Sequence, residues 1–205
     1  MDDLQHALST INEIRHQLAR GSQFRGYGPP SIALSGILAL AVATGESAWD
    51  GAEKHDLKMA LVLWISTALI SVAFSTVDTI RRARQVHVEL APAMLHAAVE
   101  QFVPSITVGA LLTAVLVGVM PDEGWLLPGL WEMIFSLGIF ASCRFLPRPM
   151  FAVGVWYLAA GLCSICICSG TKTFLPWAMG VPFGIGQLLV AAVLQVCVEE
   201  NTEDI

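Results

Sequence analysis

The stretch GLWEMIFSLGIFASCRFLPRPMFAVGVWYLAAGLCSICICSG, Gly129 to Gly170, holds two long apolar runs joined by one short turn. Its single acid is Glu132, and its basic residues are Arg144 and Arg148, both in the turn. A helix needs about 20 mostly apolar residues to cross the hydrocarbon core of a bilayer. Only a helix or a closed barrel satisfies its own backbone there. Each run therefore reads as a transmembrane helix, and the RFLPRP turn returns the chain across the membrane.

The same pattern repeats outward along the chain. Candidate spans are 27–45, 59–77, 102–120, 126–145, 150–169 and 174–198. Charged residues make up 14 % of the 205-residue chain and apolar residues 55 %, with a mean hydropathy of +0.66. An average soluble domain carries roughly 25 % charge. A water-soluble fold with this balance would expose large apolar patches and aggregate. The expected fold class is all-α: a polytopic membrane protein of six transmembrane helices with an N-terminal amphipathic cytoplasmic helix. Residues 1–26 form that helix and a linker, 27–198 the membrane domain, and 199–205 an acidic tail.

Orientation follows from the basic residues. Arg15, Arg20, Arg25, Arg81, Arg82, Arg84, Arg144 and Arg148 fall on one side of the alternation, and Lys54, Lys58 and Lys172 on the other. Eight against three places the arginine side in the cytoplasm, with both termini inside. Trp49, Trp125 and Trp177 fall near the outer boundary, where amphipathic rings prefer to sit. The N-terminus, MDDLQHALST, lacks the basic start, short apolar core and cleavage site of a signal peptide. The first span is thus expected to act as its own insertion signal, in a bacterial inner (plasma) membrane. Net charge is −6, so direct nucleic-acid binding is not expected.

Leu4, Ala7, Ile11, Ile14 and Leu18 follow a 3-4-3-4 spacing, a coiled-coil seam of two heptads. That is too short for a stable isolated coiled coil. The seam packs on its own bundle, or it is a docking or oligomerisation helix in which Leu4, Ile11, Ile14 and Leu18 carry the contact. Pro30-Ser31-Ile32 and Pro104-Ser105-Ile106 open two spans of the same direction, which allows a parallel hairpin duplication.

Among polar residues Glu132 is the most informative, because the fourth span cannot reach full length without it. An intramembrane acid is a functional candidate by default. It is a proton or cation site, or it reaches the outer interface or bonds a neighbouring helix. Glu100 is expected at the cytoplasmic interface. His96 stands one turn before it, but a metal site there would need more ligands than His87 and Glu89. Thr67, Ser71, Ser75 and Asp78 form a polar stripe along the second span, suited to helix packing or to a hydrated path. Gly180 and Gly184 give the sixth span a small-residue packing face, and Pro182 is expected to kink it. Cys163 and Cys166 have the spacing of a redox pair. Without a second pair in an outer loop or a charge to activate the thiol, packing is the better reading. No haem ligand pair, mid-span lysine, HExxH, GxSxG or P-loop occurs, so no cofactor, metal or catalytic residue is expected.

The segments FRGYGP (Phe24–Pro29), Gly129–Leu162 and PWAMGVPFGIGQLLVAAVL (Pro176–Leu194) resemble a group of bacterial six-span inner-membrane proteins of unassigned activity. Such proteins often accompany winged-helix transcriptional regulators, which implies a protein partner and no site residues. The expected function is a non-catalytic membrane protein that binds or restrains a cytoplasmic partner, as an anchored regulator or sensor. Two other readings are a small oligomeric transporter or channel for protons, cations or a small solute using Glu132, and a membrane subunit of a larger complex. The bilayer itself is the certain partner; a cytoplasmic protein and a second copy are the candidates beyond it.

Overall fold

The computed structural model describes residues 29–49, 57–86, 91–143 and 146–203, and among them every regular element is helical. In chain order the helices are α1 (Pro29–Trp49), α2 (Leu57–Val86), α3 (Ala91–Val119), a 3-10 segment (Pro121–Leu126), α4 (Leu127–Ser142), α5 (Met150–Thr171) and α6 (Pro176–Glu203). Six spans are long and apolar enough to cross a membrane, so the chain is a multi-pass membrane protein. Local chemistry sets their limits. Pro121 and Pro128 stand in the first turns of the 3-10 segment and of α4, where their missing N–H costs nothing. α5 ends on Lys172, in the left-handed conformation at φ 50°, whose N–H donates to the Cys168 carbonyl at 2.8 Å.

Several helices outrun the expected spans. α2 continues past Asp78 to Val86, α3 begins at Ala91 rather than near Phe102, and α6 continues through the acidic tail to Glu203. The expected outer loop at 121–125 is a 3-10 turn that adds length to the fourth span. Leaving the bilayer removes the demand for apolar side chains but does not end a helix. No strong stop signal stands at these positions. α6 also runs through Pro182 as one helix. The N-terminal seam (Leu4, Ile11, Ile14 and Leu18) lies outside the described residues.

Small residues let the helices approach. α1 packs along α6, where Gly36 faces Gly184: a Cβ on Gly36 would stand 2.8 Å from the Gly184 carbonyl oxygen. The Gly180–Gly184 face is thus a packing device, filled by Ala43 and Leu40 of α1. α4 packs along α5 through a reciprocal contact. A Cβ on Gly129 would stand 2.5 Å from the Gly161 oxygen, and one on Gly161 2.7 Å from the Gly129 oxygen. α2 leans on α1, and α3 on α4. An aromatic group formed by Phe102, Phe135, Tyr157 and Phe183 ties α3, α4, α5 and α6 together, with ring centroids 4.8 to 5.6 Å apart.

The hairpins bring alternate connections to opposite ends. Leu57, Leu61, Trp64, Leu116, Leu127, Trp131 and Phe174 gather at one end. Ile32, Ile139, Met150, Ala191 and Leu194 gather toward the other. Burial is uneven: in an apolar 18-residue stretch of each span, 44 % of residues are buried in the fourth and sixth spans, against 6 % in the third. The core is therefore α1, α4, α5 and α6, with α2 and α3 on its flanks.

Substituting Gly161→Val or Gly36→Val should separate these helix pairs. Overpacking of this kind costs about 1–3 kcal/mol, and thermal unfolding of the detergent-purified protein should show lower transitions for both variants. Gly118→Ala, where a Cβ would meet nothing within 4 Å, should leave the transition in place.

Candidate functional site

The antiparallel Gly129–Gly161 crossing lets α4 and α5 exchange a polar contact across it. Glu132, one turn after Gly129, lies against Gly161, where a Cβ would stand 3.2 Å from the Glu132 Cβ. Ser164 follows Gly161 by one turn on α5. Glu132 is 0 % exposed. It neither reaches the interface nor sees solvent; it bonds a neighbouring helix. Ser164 Oγ lies 3.1 Å from Glu132 Oε2 and 3.5 Å from Oε1. Among the described residues no cation pairs with the carboxyl, and Ser164 is its hydrogen-bond partner.

Ser164 reaches a third helix as well. Its Oγ lies 3.2 Å from the Ala178 carbonyl oxygen of α6. In an α-helix that carbonyl would accept from the N–H of residue 182, but residue 182 is proline and has none. Ser164 therefore stands at the one gap in the hydrogen-bond ladder that Pro182 opens. Trp156 Nε1 donates to the Pro182 oxygen at 3.1 Å, a second bond from α5 to α6 at the proline.

The buried face of α4 continues with Ser136, whose hydroxyl donates to the Gly154 oxygen at 2.8 Å. Tyr157, also 0 % exposed, lies within electrostatic reach of Glu132 and beside Gln187. Its hydroxyl is directed at the Gln187 side chain. Gly186 leaves the room that this hydroxyl occupies, since a Cβ there would overlap it. Trp131, next to Glu132, donates from Nε1 to Thr113 Oγ1 at 2.8 Å and fastens α4 to α3.

A second acid is buried that the span boundaries had placed at the edge of an outer loop. Glu46 is 4 % exposed, and Trp64 Nε1 donates to its Oε2 at 2.7 Å. Sequence reasoning missed it by closing the first span at Gly45. The signal was present: Ile32, Gly36, Ala39, Ala43 and Glu46 continue one buried 4-3-4-3 stripe.

The polar stripe of the second span does not join Glu132. Thr67 is buried and donates to the Leu63 carbonyl of its own helix. Ser71 lines an apolar groove between α1 and α2, with Leu34, Leu38, Ile70 and Phe74. Ser75 and Asp78 are half-buried and engaged, while Glu100 is exposed and also engaged. Cys163 and Cys166 are free and face outward, whereas Cys168 is free and buried. Among the described residues no cluster of three metal-ligating side chains occurs. No protein-family profile, curated protein or solved structure matches the chain.

Trp64→Phe removes the donor to Glu46 while keeping the ring. Leaving a buried carboxylate short of one hydrogen bond costs about 1–3 kcal/mol. The variant should unfold at lower temperature in detergent, and Glu46→Gln combined with Trp64→Phe should recover part of the loss.

Proposed function

We propose that the protein is a non-catalytic inner-membrane protein of a bacterium, with both termini in the cytoplasm, that binds or restrains a cytoplasmic protein partner. The observation that carries this reading is the set of helical ends that outrun the spans at one end of the bundle. α2 extends from Asp78 to Val86, α3 from Ala91 to Glu100, and α6 from Val196 to Glu203. Each extension adds about two turns, or roughly 12 Å, of helix. The α2 extension carries Arg81, Arg82 and Arg84, and the α6 extension carries Glu199, Glu200 and Glu203. The sequence thus gives these helical extensions both signs of charge. The seam of Leu4, Ile11, Ile14 and Leu18 supplies the apolar contact in this proposal, and the arginines orient the platform inward.

The buried carboxyl of Glu132 favours a second reading, a small carrier or channel for protons, cations or a small solute. Intramembrane acids mark such pathways.

Two experiments separate the readings. Affinity purification from native membranes should recover a cytoplasmic protein with the full chain and lose it when residues 1–20 are deleted, with insertion intact. Unchanged recovery would refute the partner role of the seam. In reconstituted liposomes, proton- or cation-coupled flux abolished by Glu132→Gln is the expected result of the second reading, and absence of flux under every imposed gradient removes it. Reporter fusions at residue 205 should report a cytoplasmic location.

A further inference from the structure

Ser164 has one hydroxyl proton and two acceptors. It can donate to the Ala178 oxygen, which Pro182 leaves without its helical partner, or to the Glu132 carboxyl, but not to both at once. When Ser164 donates to Ala178, its bond with Glu132 persists only if Glu132 is the donor, which requires a proton on the carboxyl. When Glu132 is ionised, the charge-assisted bond from Ser164 is the stronger one. The Ala178 carbonyl is then stranded in a dry interior. We infer that Glu132, Ser164 and the Ala178 carbonyl form a proton-binding site, in which loading and unloading of Glu132 closes and opens the gap in the α6 hydrogen-bond ladder.

The ligand is a proton rather than a metal cation, because one carboxyl, one hydroxyl and one backbone carbonyl fall short of the six or more oxygens that hard cations take. Uptake forms an O–H bond on Glu132 with a proton drawn from water, and the Ser164 hydroxyl turns from Glu132 to Ala178. Release reverses both movements. The titratable groups in electrostatic reach of Glu132 are Tyr157 and Cys168, both on α5. The described spanning part of α6 has none, presenting the neutral Gln187 beside Tyr157. Of the other elements, α1 has Glu46, held by Trp64, and α3 has the exposed Glu100. The 3-10 turn has Asp122 and a Glu123 that accepts from Trp125.

The inference needs neither partner binding nor flux, so failure of those readings leaves it standing. It is tested by pH-titrated infrared difference spectroscopy of the full chain in lipid nanodiscs. The wild type should show the carbonyl stretch of a protonated carboxyl that titrates reversibly. The band should be lost in Glu132→Gln and shifted in frequency in Ser164→Ala. Pro182→Ala restores an N–H to Ala178 and frees Ser164 for the carboxylate, so it should weaken the band at fixed pH. Should Glu132→Gln fail to fold, Ser164→Ala and Pro182→Ala carry the test. A band that survives Glu132→Gln, one indifferent to both other substitutions, or one displaced by added sodium at constant pH would overturn the proposal.

Discussion

A polar group inside a bilayer has no water to turn to, so an unpartnered one is costly, and that cost places the buried acids and the serine that meets one of them. Backbone groups avoid it by helix formation. Where the ladder is broken, a side chain from the next helix fills in: Ser164 reaches the Ala178 oxygen that Pro182 leaves without its helical donor, and Trp156 adds a bond to the Pro182 oxygen. The two buried acids follow the same rule, Glu132 through Ser164 and Glu46 through Trp64. Close approach of the helices makes these bonds possible, and glycine makes the approach possible. The Gly129–Gly161 crossing and the Glu132–Ser164 bond belong to one contact between α4 and α5.

Much of the architecture was legible because lipid reduces the choices. Six apolar runs of spanning length leave helices as the economical solution. Short connections leave antiparallel neighbours, and the gathering of alternate connections at opposite ends follows. What the sequence hid were the ends. Membrane hydropathy reports where a helix is in lipid, not where it stops, so the extensions to Val86 and Glu203 and the start at Ala91 were read as loops and tail. Glu46 was lost for the same reason, counted with the loop because it is charged although it completes the buried stripe of α1.

The site was half legible. Glu132 announced itself by charge, but nothing in its own helix told whether it faced lipid, water or protein. Its partner was concealed inside the very motif that drew attention elsewhere. In Cys163-Ser164-Ile165-Cys166 the spacing of the cysteines suggested chemistry, yet those two thiols face outward and the serine between them faces in. The helical period explains this: Gly154, Tyr157, Gly161, Ser164 and Cys168 form the buried face of α5. Reading that face before the cysteine spacing would have found Ser164. The role of Pro182 is a tertiary fact, since the carbonyl it frees is answered from another helix.

The sparse burial of α3 has a mechanical consequence. With few of its residues buried, this helix is fastened chiefly along one flank by Phe102, Thr113 and Leu116. A span held along one flank is the one with most freedom to meet a mismatch in hydrocarbon thickness by tilting. Thicker and thinner membranes should therefore set α3 at different inclinations against an unmoved core of α1, α4, α5 and α6, and its helical extension would carry that inclination out into the aqueous phase.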